Sequence, residues 1–138
     1  MSHVIRFGVS LEKGLLDSFD RRLQRKGYAN RSEAIRDLIR EDLVALEWRE
    51  GKEVAGAITL VYDHHKRDLL NRLMDVQHDH HVNILSTSHI HLDHHNCLEV
   101  IVTKGSPIEV KKLFENLKAL KGIKHVSMAM STLGKDVV

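Results

Sequence analysis

A single cysteine stands in a chain of 138 residues, which excludes an internal disulfide and points to a reducing compartment where the thiol is free to bind a metal. No apolar run approaches the ~20 residues of a membrane-spanning helix. No basic stretch followed by an apolar one opens the chain, so neither an anchor nor a secretory leader is expected, and the cytoplasm is the expected location. Excess charge is scarce too: Lys and Arg number 21 against 19 Asp and Glu, which permits a polyanionic partner without indicating one. The 42% hydrophobic and 29% charged residues are the balance of a soluble globular chain. Its length suits one domain, or two small ones that need a partner to complete their cores.

Histidine is what the chain has in plenty. Between His78 and Cys97 the sequence holds seven of the eleven histidines together with the only cysteine. Imidazole and thiolate are the ligands of borderline first-row metals. Residues 82–92 (VNILSTSHIHL) read as a strand, in which His89 and His91 share one face while Ile90 and Leu92 share the other. In the next strand, CLEVIVT, Leu98, Val100 and Val102 alternate with Cys97, Glu99 and Ile101. Joining the two as a hairpin with Ile90 and Leu98 on a common buried face sets Ile90 opposite Leu98 and His91 opposite Cys97, with a loop centred on Asp93, His94 and His95. A lone His-x-His pair is more often a solvated sheet face. A cysteine in register reverses that balance and leaves three ligands on one patch.

At the other end, HVIRFGVSL alternates as a half-buried strand with Arg6, Gly8 and Ser10 outward and Ile5, Phe7, Val9 and Leu11 inward. Ser10 is expected to cap a helix that runs to Lys26 and stops at Gly27. A second helix opens at Asn30 with Glu33 at the capping-box position and ends at Gly51. Its apolar face runs through Ala34, Ile35, Leu38, Ile39, Leu43 and Leu46. One strand and two helices in residues 1–50 cannot bury a sufficient core alone. Dimerisation through the lone strand is the remedy, and the resulting antiparallel ribbon fits the major groove of B-DNA.

The segment RFGVSLEKGLLDSFDRRLQRKGYANRSEAIRDLIR resembles the ribbon-helix-helix repressors, whose signature stands here as GYANRSEAIRD. The resemblance implies that Arg6, Gly8 and Ser10 read bases and that Arg31 and Ser32 lie near the DNA backbone. A helix N-terminus with unpaired N–H groups favours such a phosphate. Gly8 departs from the family, which carries a polar side chain there, and offers only close backbone approach.

After a linker at 51–55, residues 56–138 alternate as strand AITLVYD, helix 65–77, strands 82–92 and 97–104, helix 107–120 and strand 123–130, with the last eight residues frayed. The second helix is marked by Ser106 as N-cap, Pro107 and a capping box completed by Glu109, and it buries Val110, Leu113, Phe114 and Leu117. The order βαββαβ is ferredoxin-like, both helices on one face of an antiparallel sheet, so the whole chain is α+β. This half resembles ACT domains. Together, VYDHHKRDL, QHDHH, HIHLDHHNCLEV and TKG resemble the nickel-responsive transcriptional regulators over nearly the whole chain.

That resemblance implies Ni(II) ligands His89, His91 and Cys97 from one subunit and His78 from a neighbour across a homotetramer interface. It also implies Lys66 and Arg67 on the DNA backbone, a second cation site at Glu33 and Asp37, and a palindromic operator controlling nickel-uptake genes. The i,i+4 spacing does put both of those carboxylates on one helix face. Donor chemistry alone leaves copper, zinc or cobalt open. His64, His65, His80, His81, His94 and His95 are either weak accessory ligands or polar surface. Two other classes compete. A metal-storage or metallochaperone protein leaves residues 1–50 unexplained. A zinc hydrolase has three ligands but no H-E-x-x-H, with Glu99 the one evident base near the patch, so a non-enzymatic regulator is expected.

Overall fold

The computed structural model describes residues 3–138 and divides into two compact units, one ending at Ile39 and the other beginning at Arg40. In the first, α1 (Lys13–Lys26) is closed by Gly27 at φ 75°, a left-handed residue that suits glycine. The N–H groups of Gly27 and Tyr28 return to the Gln24 and Leu23 carbonyls. Next, α2 (Arg31–Glu50) is capped by Asn30, whose side-chain oxygen accepts the Glu33 N–H at 2.9 Å.

Two expectations fail in this unit. Residues 3–12 form no strand, and α1 starts at Lys13 behind Glu12 rather than behind a Ser10 cap. The first has a direct cause: a strand exists through hydrogen bonds to a neighbour, and one copy of the segment has none. Its alternating apolar residues stay in water, with Ile5 81% and Phe7 71% exposed. Leu38 and Ile39 on α2 are half-exposed as well, and Ala34 is buried.

The second unit holds β1 (Val54–Asp63), α3 (Arg67–Asp79), β2 (Ile84–His91), β3 (Asn96–Gly105), α4 (Pro107–Lys118) and β4 (Ile123–Met130). All strand pairs are antiparallel in the order β2-β3-β1-β4, the ferredoxin-like arrangement. Leu69 and Leu73 of α3 and Leu113 and Leu117 of α4 share one core with Ile58, Leu60, Tyr62, Cys97 and Ile101, so both helices cover the same sheet face. Trp48 of α2 is buried against Val54 and Val110 of this unit.

The boundaries shift where side chains intercept the backbone. Strand β1 begins at Val54, inside the expected linker, because Val54 is fully buried. Helix α3 begins two residues late, since Asp63 Oδ1 takes the His65 N–H at 2.9 Å and forms a turn first. Strand β2 begins at Ile84 because His81–Asn83 is a 3-10 turn whose buried Asn83 amide donates to the Lys104 carbonyl and to Glu109. Glu109 is thereby diverted, and the α4 capping box is only half made: Ser106 Oγ accepts the Glu109 N–H at 3.2 Å. The tail after Met130 is irregular as expected, yet Ser131 is tied by its N–H to Ala55 and by its carbonyl to Trp48.

The largest correction concerns the sheet's two faces. The hairpin has the expected register, Ile90 opposite Leu98 and His91 opposite Cys97. The helix-covered face, however, is the one with Cys97 (2% exposed), Glu99 (1%) and Ile101 (0%), while Ile90 is 49% exposed. The open face of β3, with Leu98, Val100 and Val102, is the more apolar of the two, while the covered face carries Glu99 and Thr103, so alternation fixed the pairing without saying which face the helices cover.

The α4 core gives a stability test. Leu113→Ala, at a fully buried position, is expected to lower unfolding free energy by about 2–5 kcal/mol. Ile108→Ala, at an 80% exposed one, should change it by less than about 0.5 kcal/mol. Chemical denaturation of the full chain measures both.

Candidate metal centre and nucleic-acid interface

Pairing on both sides of β3 aligns side chains in rows across the helix-covered face. His91 lies opposite Cys97, which lies opposite Tyr62; one step along, His89 lies opposite Glu99, which lies opposite Leu60. The imidazoles are exposed although Cys97 beside them is buried. The sheet order explains this: β2 is an edge strand, and the helices cover the central strands.

Glu99 organises the patch. A buried carboxylate needs hydrogen-bond partners to offset its lost hydration. Tyr62 donates its hydroxyl to Oε2 at 2.8 Å, and Gln77 of α3 donates its amide to Oε1 at 2.8 Å. Burial, then the contact with Glu99, hold the Tyr62 hydroxyl far above its ordinary value, so it stays a donor. His89 Nε2 stands 3.5 Å from Glu99 Oε1. The Tyr62 oxygen lies 3.4 Å from His89 Nδ1 and has given its own hydrogen to Glu99, so in that contact an Nδ1 proton donates to it and Nε2 faces the carboxylate side. A polar network around an imidazole, here Tyr62 and Glu99, is the usual support of a metal-binding histidine. Two imidazoles and a free thiol with such support fit a borderline divalent ion. In the sequence Glu99 stood out only as a possible base near the patch; the structure buries it and sets it beside His89.

The structure does not close the ligand set within one chain. The donor atoms of His89, His91 and Cys97 are not all within 4.8 Å of one another. His89 leans on Glu99, and the His91 ring packs edge-on against His64 at 4.8 Å between centroids. His64 Nδ1 is out of solvent without a hydrogen-bond partner; desolvation, then the neighbouring imidazoles of His65 and His91, push its pKa down. His78 sits exposed in the last turn of α3, its ring 5.9 Å from that of His81. Of the other histidines, His80 pairs with Asn116 and His81 with the His78 carbonyl. His65, His94 and His95 continue the chain of ring contacts from His64.

On the nucleic-acid side, Arg6, Gly8 and Ser10 are all exposed, as are Arg31 and Ser32 in the first turn of α2. Arg31 is already engaged: both Nε and Nη2 donate to Asp20 at 2.9 Å, which lowers the Asp20 pKa and raises that of Arg31. Lys66 and Arg67 line a cleft of about 510 Å³ together with Arg72 and Lys121, two cations that a linear reading does not gather because they lie on separate elements. Glu33 is exposed, and Asp37 accepts the Tyr28 hydroxyl at 2.7 Å. Among the described residues, no helix is long and apolar enough to cross a membrane.

Comparison with known proteins follows the same division. Residues 5–45 match the model of the ribbon-helix-helix proteins of the copG family, and residues 55–131 match that of the NikR C-terminal nickel-binding domain. A module that matches the ribbon-helix-helix proteins, followed by a nickel-binding ferredoxin-like domain, defines a metal-responsive regulator, not an enzyme. The chain belongs to the family of nickel-responsive regulators. It is 57% identical over 135 residues to one so named in Syntrophus aciditrophicus, covering 98% of both chains. It is 56% identical to one in Chlorobium limicola, covering 97% of this chain and 100% of that one, and 53% identical to one in Geobacter sulfurreducens, covering 99% of each. An uncharacterized protein from Thermotoga maritima shares the fold over 57% of this chain and 98% of its own, with a TM-score of 0.53 at 14% identity.

Glu99→Gln keeps the shape and removes the charge facing His89. It is expected to weaken metal binding by about 10–100-fold, read by competition with a chelator of known affinity. An unchanged affinity excludes Glu99 as a positioning residue.

Proposed function

We propose that the chain is a nickel-dependent repressor that binds a palindromic operator through a dimeric β-ribbon when Ni(II) occupies a site made of His89, His91 and Cys97 with His78 of the partner subunit. The observation that carries this reading is the in-register His91–Cys97 pair beside the Glu99-supported His89, in a chain whose first residues match a ribbon-helix-helix module. The relatives are named as nickel-responsive regulators, which selects nickel where donor chemistry leaves copper, zinc and cobalt open. Control of nickel-uptake genes and a cytoplasmic location follow from the same reading.

Exposed apolar surface supports the assembly. Val4, Ile5, Phe7, Val9 and Leu11 bring an apolar segment into water in one copy. A second copy supplies the missing strand, so that Arg6, Gly8 and Ser10 face the major groove. On the sheet, Ile90, Leu92 and Val102 leave the face away from the helices partly open, a surface for joining two dimers into a tetramer. Bound metal bridges subunits, with His89 kept beside Glu99 and the His91 ring turned from its edge contact with His64. The bridge favours one arrangement of the two ribbons, so metal and operator raise each other's affinity by the same factor. Lys66 and Arg67, with Arg72 and Lys121 beside them, bind phosphate, and Arg31 and Ser32 do so at the start of α2. Glu33 and Asp37 form a second cation site.

The coupling is tested with DNA selected from random-sequence pools by nickel-loaded protein, then titrated with loaded and metal-free protein. Equal affinities sink it, as does tight nickel binding by His78→Ala equal to wild type. The Asp20–Arg31 pair gives a separate test. Asp20→Asn releases the Arg31 guanidinium and is expected to tighten DNA binding, steepening the dependence of log affinity on log salt by about one.

A further inference from the structure

The histidines beyond the proposed nickel ligands are not scattered. The ligand atoms of Asp63, His65 and His95 all lie within 4.8 Å of one another, the one group of three or more metal-ligating side chains to do so among the described residues. Two elements meet there: the end of β1, which supplies Asp63 and the turn after it, and the β2–β3 turn, which supplies His95.

The backbone holds both in place. Asp63 Oδ1 accepts the His65 N–H at 2.9 Å and stands 3.2 Å from His65 Nδ1. Across the gap, the His64 N–H donates to the His95 carbonyl at 3.1 Å. The β2–β3 turn is folded around Asp93, whose Oδ1 accepts the N–H groups of His95 and Asn96, both at 2.8 Å, while Oδ2 accepts the Asn96 amide at 2.8 Å. Those three hydrogen bonds hold the Asp93 pKa down at about 2. The His65 and His95 rings are exposed, 5.3 Å apart between centroids, with His94 5.6 Å from His65.

We propose that Asp63, His65 and His95 form a second, weaker site for a divalent first-row transition-metal ion, distinct from the Cys97 patch. Two imidazoles and one carboxylate are a borderline donor set that leaves coordination positions for water. Imidazole nitrogens favour such an ion over calcium or magnesium, which take oxygen ligands. The absence of a thiolate and the solvent exposure of both rings make it the weaker of the two. One imidazole, His64, separates the sites, in ring contact with His65 at 4.2 Å and with His91 at 4.8 Å. An ion here clamps the end of β1 to the turn between His91 and Cys97, so its filling also stiffens the hairpin that carries the first site.

The test is equilibrium dialysis of the metal-free full chain against Ni(II) alone, with absorption spectra recorded in parallel. Wild type is expected to take up one tight equivalent per protomer with thiolate-to-nickel absorbance, then a further equivalent at least tenfold weaker without it. His65→Ala/His95→Ala, with folding checked by circular dichroism, should keep the first and lose the second. Asp63→Asn, which preserves shape, should weaken the second at least tenfold. His125→Ala removes an exposed histidine that lies outside the Asp63–His65–His95 group and should change neither. Retention of the weaker equivalent by the double variant overturns the proposal, and so does its equal loss in His125→Ala. Cys97→Ala separates the sites: it should abolish the thiolate absorbance and keep the weaker equivalent. A wild type without thiolate absorbance would overturn the Cys97 reading alone, since the double-variant comparison does not depend on it.

Discussion

The pairing of β2 on β3 is the constraint on which the chemistry depends. With Ile90 opposite Leu98, His89 and His91 fall on the same face as Cys97 and Glu99. A slip of one residue would send both imidazoles to the other side of the sheet. The register is secured at its closed end by the Asp93 turn and by the Leu92 N–H donating to the Asn96 carbonyl at 2.9 Å. Strand β1 then completes the row from the other side of β3, bringing Tyr62 opposite Cys97. Four side chains distant in sequence, Tyr62, Gln77, His89 and Glu99, become one hydrogen-bonded network because two strand registers and one helix agree.

That network explains why a buried carboxylate is tolerated in a core made largely of leucine and isoleucine. Glu99 is 1% exposed, and an uncompensated charge there would be costly. Tyr62 and Gln77 offset the cost, and His89 stands at the one side left open. Polar groups in a core raise the penalty for any arrangement that leaves them unpaired, so the network also defends the register that created it.

Much of this was legible in the sequence, and the exceptions share a cause. Alternation gave the hairpin pairing, and Pro107 with Ser106 marked the start of α4, because those signals are local. Which sheet face the helices cover was not legible: Leu98, Val100 and Val102 look more buriable than Cys97, Glu99 and Ile101, and only the packing of Leu69, Leu73, Leu113 and Leu117 decides it. The starts of α3 and β2 moved for a similar reason, since Asp63 and Asn83 spend their side chains on the backbone of other segments. Arg72 and Lys121 join Lys66 and Arg67 only once α3 and the turn before β4 are folded together. Glu99's partners and the meeting of His65 with His95 are likewise products of topology, beyond the reach of spacing along the chain.

The expected strand at residues 3–11 teaches a different lesson. Its alternation of Ile5, Phe7, Val9 and Leu11 against Arg6, Gly8 and Ser10 is as regular as that of any strand in the sheet, yet a single copy has no hydrogen-bond partner for it and leaves its apolar side in water. Leu38 and Ile39 of α2 are half-exposed for the same want of a neighbour. A helical surface or a strand with this pattern is written for burial, and a fifty-residue βαα module has too little of its own surface to bury it. The same holds for the sheet face carrying Ile90, Leu92 and Val102, which no helix covers. The sequence thus encodes two kinds of surface, one covered within the chain and one left open in a single copy. Of the proposed metal ligands, His89 and His91 stand on the edge strand β2, where the first kind gives way to the second, and Cys97 lies buried beside them on β3. A ligand set placed at that boundary is able to report on assembly as well as hold an ion, which a set buried wholly within one chain is not.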